Sequence, residues 1–132
     1  MKSITPKELM NHSFVISVDD KRFNQFRNIF TKYGLFPLPQ KFQGISDPKN
    51  PPHVNCYLSH REIILKAKDL DWPYVCIFED DAYPLSTVGK ELEYYLSEIP
   101  DEVACLLLGD TKMMKSSKLN DKFYNKISCC GS

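Results

Sequence analysis

The feature that most constrains the fold of this chain is a short apolar run that ends in three consecutive carboxylates. Residues 75–78 are apolar, and Glu79, Asp80 and Asp81 follow directly. A run of this length after a proline and before turn residues predicts a buried central strand of a parallel sheet. Because side chains alternate along a strand, we expect Glu79 and Asp81 to share one face and Asp80 to point the other way.

The three acids allow two interpretations. Neighbouring carboxylates repel one another unless a cation lies between them, and hard divalent cations prefer oxygen ligands. In open α/β sheets the carboxyl ends of the strands also form the edge where ligands bind. The acids therefore indicate either a divalent-metal site that presents a phosphorylated ligand or a solvated acidic turn. The residue types alone leave both interpretations open.

Composition limits the class of protein. A length of 132 residues and an apolar content of 42% are typical of a single globular domain. The 17 basic residues balance the 17 acidic ones, so the net charge provides no attraction to nucleic acid or to an anionic membrane. No apolar run in the sequence approaches the length needed to span a bilayer.

The five cysteines do not form a recognisable metal or disulfide pattern. There is no Cys-x-x-Cys pair and no histidine-rich partner, so the sequence does not predict a zinc site. Cys76 and Cys105 lie in apolar runs, where a thiol behaves as a small hydrophobe. This usage favours a reduced, cytosolic protein.

The first part of the chain predicts alternating helices and strands. A capping box at Thr5 predicts a short helix over Pro6–Asn11. Residues 14–18 are rich in β-branched side chains and predict a strand. Asp19 can cap the next helix, in which aromatic residues recur at helical spacing until Gly34 ends it. Such an aromatic stripe is typical of a core-facing helix.

A proline-rich segment and a second helix come next. Residues 35–52 predict a loop, interrupted by a short extended piece over residues 42–45. Ser59 and Glu62 form another capping box, which predicts a helix that begins at Ser59, with His60 in its first turn. Free N–H groups at a helix start attract anions, so His60 lies either near a ligand phosphate or simply at a solvated or packed position.

The last part of the chain repeats the pattern. Residues 86–98 predict an amphipathic helix, and residues 103–108 predict a second buried strand. Asp110 follows that strand, so we expect it to line the same crevice as Glu79 and Asp81. The alternation of elements indicates α/β layers with a largely parallel sheet.

Taken together, these segments resemble glycosyltransferase family 25, the bacterial lipooligosaccharide galactosyltransferase group that also includes the collagen galactosyltransferase domains. The resemblance is carried by residues 14–19, Gly44, residues 56–60 and residues 75–82. It covers nearly the whole chain. Its most specific part is the order and spacing of the Leu-Ser-His segment and the Glu-Asp-Asp strand end.

The resemblance implies a GT-A fold, which is a Rossmann-like and mostly parallel sheet flanked by helices, in one domain over residues 1–132. It also implies a UDP-sugar donor, typically UDP-galactose, with Mn²⁺ or Mg²⁺ as the cofactor. The reaction would be an inverting transfer to a hydroxyl of a lipooligosaccharide or lipopolysaccharide acceptor. The expected location is the cytoplasm, with peripheral attachment to the inner membrane left open and no role for nucleic acid.

The same resemblance assigns roles to individual residues. Asp81 and Glu79 would hold the metal, and Glu79 or Asp80 would orient the ribose or a bound water. The donor-binding residues would be Asp19, Arg22, Gly44, Ser59, His60, Glu79 and Asp80. An inverting transfer needs a general base on the acceptor hydroxyl, and the position of Asp110 makes it the candidate.

Two further hypotheses concern activity. Family domains continue past the point that matches residues 130–132, so we expect a fold that is incomplete at its C-terminus. A chain truncated in this way could be an inactive or binding-only remnant of a transferase. An unrelated phosphoryl-transfer enzyme or metal-dependent hydrolase could use the same acids. The sequence shows no nucleophile or second acidic cluster that would favour that class.

Overall fold

The computed structural model describes residues 4–84, 88–99, 116–118 and 124–126. The elements are α1 Pro6–Asn11, β1 Ser13–Ser17, α2 Asp20–Lys32, β2 Gln40–Gln43, α3 Pro52–Asp69, β3 Cys76–Glu79, α4 Val88–Ser97, β4 Ser116–Lys118 and β5 Tyr124–Lys126. The predicted strand over residues 103–108 and the candidate base Asp110 lie outside the described residues.

The described residues contribute three strands to the main sheet, in the order β2-β1-β3, and both pairings are parallel. The first crossover, through α2, leads from β1 to β2, and the second, through α3, leads to β3 on the opposite side of β1. This arrangement confirms the predicted α/β class and is compatible with a Rossmann-like glycosyltransferase. β4 and β5 form a separate antiparallel pair.

The core beside β1 is built by the aromatic stripe of α2. Phe26 and Phe30 are buried, and their ring centroids are 4.0 Å apart. They pack with Val15 of β1 and against Phe78 of β3. Burial of each ring stabilises the fold by about 1.5–3 kcal/mol, so α2 is held to the sheet by this face. The prediction that the stripe is core is confirmed.

The opposite side of β1 is covered differently, as the alternation of side chains requires. Phe14 is buried and stacks on Trp72 at a centroid distance of 5.6 Å. The ammonium group of Lys66, from α3, lies 5.1 Å from the centroid of the same ring. Phe14 therefore contacts the C-terminal part of α3, whereas Val15 contacts α2.

The ends of the first two helices follow their sequence signals. The Thr5 hydroxyl accepts a hydrogen bond from the backbone N–H of Glu8, which confirms the first capping box. At the end of α2, Gly34 has a φ of 69°, and the N–H of Leu35 donates to the carbonyl of Phe30. This is a Schellman ending, which requires a residue that tolerates positive φ.

The predicted start of the second long helix is wrong. α3 begins at Pro52, with Pro51 as its N-cap, so Ser59 lies about two turns inside the helix. The Ser59 hydroxyl does not cap anything; it donates to the carbonyl of Asn55 and accepts from the N–H of Ile45. Proline is favoured in the first helical turn because the N–H that it lacks would have no partner there. His60 is accordingly outside the first turn, and the anion argument for a helix start does not apply to it.

Candidate functional site

The described strands of the main sheet end at one edge. In the register of the sheet, Ile16 pairs with Glu79 and Ser17 pairs with Gln43, so the residues that follow β1, β2 and β3 are neighbours. The crossover from β1 leads to β2 on one side of β1, and the crossover from β2 leads to β3 on the other side, so the boundary between β1 and β3 is a topological switch point. Ligands of open α/β sheets bind in the crevice at such a point.

Asp80 is the acid that points back into the protein. Its side chain is 9% exposed, and its two carboxylate oxygens have separate partners. Oδ1 lies 2.7 Å from Nη2 of Arg22, and Oδ2 accepts a hydrogen bond of 2.8 Å from the Ser17 hydroxyl. The middle acid thus links the end of β3 to the end of β1 and to the first turn of α2. The negative charge of Asp80 is paired with the guanidinium of Arg22, whose side chain is 51% exposed.

Glu79 is exposed and contacts α3 instead. Its Oε1 accepts a hydrogen bond of 3.0 Å from the thiol of Cys56. Partial burial, the hydrogen bond to Glu79 and the negative charges of Glu79 and Asp81 together raise the pKa of Cys56 to about 11, and burial is the largest of these causes. The thiol is therefore neutral at physiological pH and acts as a donor to Glu79. The opposite directions of Glu79 and Asp80 are those that strand alternation predicts.

Asp81 lies in the tight turn that follows β3. The N–H of Ala82 donates to the carbonyl of Glu79, which closes the turn around Asp80 and Asp81. The side chain of Asp81 is exposed, and its charge acts on the Cys56 thiol, so it belongs to the same side of the edge as Glu79. We call Glu79, Asp80 and Asp81 the acidic end of β3. Glu79 and Asp81 are exposed on one side of the strand, and Asp80 is largely buried and ion-paired on the other.

Cys56, His60 and Glu79 form a cluster with mixed chemistry. One ligand atom of each, the thiol sulfur, an imidazole nitrogen and a carboxylate oxygen, lies within 4.8 Å of the others. Cys56 and His60 are four residues apart on α3 and share a helix face. A surface cleft of about 520 Å³ opens beside the cluster and is lined by Pro52, His53, Cys56 and Glu79. This group was not predicted from the sequence, because Cys56 has no second cysteine at Cys-x-x-Cys spacing. The i, i+4 spacing of Cys56 and His60 was the available signal.

Asp19 and Gly44 reach the same edge through backbone contacts. The carboxylate of Asp19 caps α2 by accepting from the N–H groups of Lys21 and Arg22. Gly44 is buried just after β2 and donates its N–H to the carbonyl of Ser17. A Cβ on Gly44 would lie 2.8 Å from Cγ1 of Val18, so the close approach of the two strand ends accounts for glycine here.

Ser59 lies inside the protein, in the interior of α3, and not at the ligand-binding edge of the sheet. It is 1% exposed, and both hydrogen bonds of its hydroxyl are made inside the protein. The bond from the Ile45 N–H ties the segment after β2 to α3, which fixes that segment relative to Cys56 and His60. The structure thus brings Arg22 and Asp80 together on one side of β3 and Cys56, His60 and Glu79 together on the other.

Comparison with known proteins assigns the family. The profile of glycosyltransferase family 25, described as LPS biosynthesis protein, matches residues 50–130, which include α3, β3 and the three acids. The chain belongs to glycosyltransferase family 25. No curated protein and no solved structure matches it significantly. Among the described residues, no helix has the length and apolarity that crossing a membrane would require.

Proposed function

We propose that this protein is a metal-dependent hexosyltransferase that transfers a sugar, in the first instance galactose, from a UDP-sugar to a lipooligosaccharide or lipopolysaccharide acceptor. The observation that carries the proposal is the acidic end of β3 at the switch point of a parallel sheet, in a chain of glycosyltransferase family 25. The exposed carboxylates of Glu79 and Asp81 are free of any ion pair with the described basic residues, in contrast to Asp80.

The two exposed carboxylates suit a hard cation. Mn²⁺ and Mg²⁺ take oxygen ligands and keep positions open for phosphate oxygens, so Asp81 and Glu79 are the proposed ligands. When bound, the ion would neutralise the diphosphate and stabilise the departing UDP. The hydrogen bond from Cys56 is accepted by one oxygen of Glu79, and the other oxygen has no hydrogen-bond partner among the described residues.

The remaining donor-site residues are proposed to shape and orient the pocket. Arg22 is half exposed beside the buried Asp80, so it can offer a guanidinium N–H to the ribose or uracil, with Asp19 at the adjacent turn. His60 belongs to the same cluster as Glu79, so its imidazole lies next to the proposed metal ligand. Gly44 and Ser59 act on the pocket through the backbone they position, since their side-chain space and hydrogen bonds are used internally.

The acceptor half of the reaction needs a general base. Asp110 is the proposed base, from its expected position after a strand at the same edge, and it lies outside the described residues. An acceptor carried by a lipid would meet a UDP-sugar at the cytoplasmic face of the inner membrane, so we propose a cytoplasmic protein that reaches that surface peripherally.

Turnover of UDP-galactose tests this proposal. Purified chain is incubated with UDP-galactose, Mn²⁺ and a lipooligosaccharide acceptor, and released UDP and labelled acceptor are quantified. We expect transfer that Asp81→Asn lowers by about 10- to 100-fold, because the ion loses a carboxylate. Asp69→Asn is the matched control, since Asp69 is an exposed acid at the far end of α3. Metal-linked UDP binding without any transfer would support the binding-only alternative and overturn the enzymatic one.

A further inference from the structure

We propose that Cys56, His60 and Glu79 form a binding site for a divalent transition-metal ion of the Zn²⁺ and Co²⁺ class. The site is separate in chemistry from the Mn²⁺ or Mg²⁺ site proposed at Glu79 and Asp81, although the two share Glu79. It requires neither a nucleotide nor transferase activity.

The distances are close to those of a metal centre. The three ligand atoms lie within 4.8 Å of one another, and the Cys56 sulfur is 3.0 Å from Oε1 of Glu79. Ligand atoms of a tetrahedral zinc ion are separated by about 3.3–3.8 Å, as follows from metal–ligand bonds of about 2.0–2.3 Å. The side chain of Glu79 is exposed and that of His60 is half-buried, so we expect both to have room to rotate toward that geometry.

The donor types select the metal. A thiolate and an imidazole favour Zn²⁺, Co²⁺ and related ions, whereas Mg²⁺, Ca²⁺ and Mn²⁺ favour a set made of oxygens alone. Three protein ligands of the Cys, His and carboxylate types leave a tetrahedral ion with one open position. The cleft beside Cys56 and Glu79 leaves room for a fourth ligand from solvent or from a bound molecule.

The three ligands lie on regular elements of the fold, so a metal ion can bind without a change in secondary structure. Cys56 and His60 lie on one face of an 18-residue helix, and Glu79 ends a strand of the main sheet. The Cys56 thiol donates a hydrogen bond to Glu79, so two of the three ligand side chains are already in contact. Binding replaces that S–H···O contact by two bonds to the ion, and the thiol proton leaves to the buffer.

Sharing of Glu79 has a consequence for the proposed donor site. If the Glu79 carboxylate bridges or alternates between two ions, each site binds its ion less tightly than it would with Glu79 as its own ligand. We therefore expect Zn²⁺ bound by Cys56 and His60 to compete with Mn²⁺ bound through Glu79 and Asp81. This consequence rests on the proposed function, whereas the binding site itself does not.

Cobalt titration tests the site directly. Co²⁺ is added to the full chain without nucleotide, in a reductant that contains no thiol, and absorption is recorded. We expect a saturable thiolate-to-cobalt charge-transfer band with one ion per chain, which Zn²⁺ removes and excess Mg²⁺ does not. Cys56→Ser and His60→Ala should each weaken binding at least about tenfold, because loss of even an outer-shell partner of a metal ligand typically costs that much. Circular dichroism of the variants confirms that each is folded.

Cysteines elsewhere in the chain provide the control. Cys129→Ser with Cys130→Ser removes the adjacent pair near the C-terminus and should leave the cobalt band unchanged. Absence of a charge-transfer band in the wild type would overturn the proposal. A band that survives Cys56→Ser and disappears with the Cys129 and Cys130 substitutions would also overturn it. Metal-linked binding of UDP is a separate measurement, so either result can stand while the other fails.

Discussion

Oδ1 of Asp80 lies 2.7 Å from Nη2 of Arg22, and this ion pair joins the turn after β3 to the first turn of α2. The two partners differ in exposure: the Asp80 side chain is 9% exposed, whereas that of Arg22 is 51% exposed. The second oxygen of Asp80 is held by the buried Ser17 hydroxyl. Asp80 therefore holds the end of β3 against β1 and α2, whereas, among the described residues, Glu79 and Asp81 do not contact those elements through an ion pair.

Removal of this carboxylate should destabilise the fold. We expect Asp80→Ala to lower the free energy of unfolding by about 1–2 kcal/mol, because it removes a charge-assisted hydrogen bond while Arg22 can still be hydrated. Urea denaturation measures the effect. Asp20→Ala is the matched control: Asp20 also forms a 2.7 Å pair, with Lys41, but its side chain is 88% exposed. Equal losses in the two variants would contradict this account.

Glycine at position 44 is required by the approach of two strand ends. Gly44→Ala should destabilise the protein by about 1–3 kcal/mol, because the added methyl would lie 2.8 Å from Cγ1 of Val18 and 3.1 Å from Cγ2 of Ile16. Val18 is 55% exposed, so its side chain can be shortened at little cost. We expect Val18→Ala to recover part of the loss in the double variant, measured by thermal unfolding. Additive losses would show that the contact with Val18 is not the cause.

Ser59 should prove important for stability although it lies in a helix interior. Ser59→Ala removes the acceptor of the Ile45 N–H, and we expect a loss of about 1–3 kcal/mol in the free energy of unfolding. Ser97→Ala is the control, since the exposed Ser97 hydroxyl donates to the carbonyl of Tyr94 in its own helix and has no other hydrogen-bond partner among the described residues. If both variants unfold at the wild-type urea concentration, the bond between Ile45 and Ser59 contributes nothing.

The thiol of Cys76 makes stability depend on pH in the alkaline range. Burial raises its pKa from 9.0 to about 12 in the folded state. The folded chain keeps this proton at pH values where the unfolded chain loses it, so the associated stability is complete below pH 9 and declines toward pH 12. Comparison with Cys76→Ala isolates the effect: the difference in unfolding free energy should fall by roughly 1 kcal/mol per pH unit across that window. A difference that does not change with pH would contradict it.

Local patterns were sufficient to predict most elements of the main sheet. Residues 76–78 of the apolar run form part of β3, as predicted, although β3 lies at the edge and not at the centre of the sheet that the described strands form. The aromatic stripe that contains Phe26 and Phe30 is confirmed as core. The caps at Thr5 and Asp19 involve partners two or three residues away, which a sequence shows directly. These features depend on neighbours along the chain.

Features that depend on distant partners were not predicted. The Ser59 hydroxyl was interpreted as a cap, whereas its partner is the N–H of Ile45, 14 residues away, which only the packed fold reveals. The contact of Cys56 with Glu79 spans 23 residues and was missed for the same reason. The acids were placed correctly at the C-terminal end of β3, with Glu79 as its last residue and Asp80 and Asp81 in the turn that follows. Their different partners follow from which element packs on each face of the sheet.

The most direct test of the central claim is calorimetric titration of UDP into the full chain with Mn²⁺ and with a chelator. We expect saturable binding with Mn²⁺ that weakens strongly in the chelator and in Asp81→Asn, and that persists in the control Asp69→Asn. Binding of UDP that is equally tight with and without the metal, or no binding under either condition, would contradict the assignment of a metal and nucleotide site to the acidic end of β3.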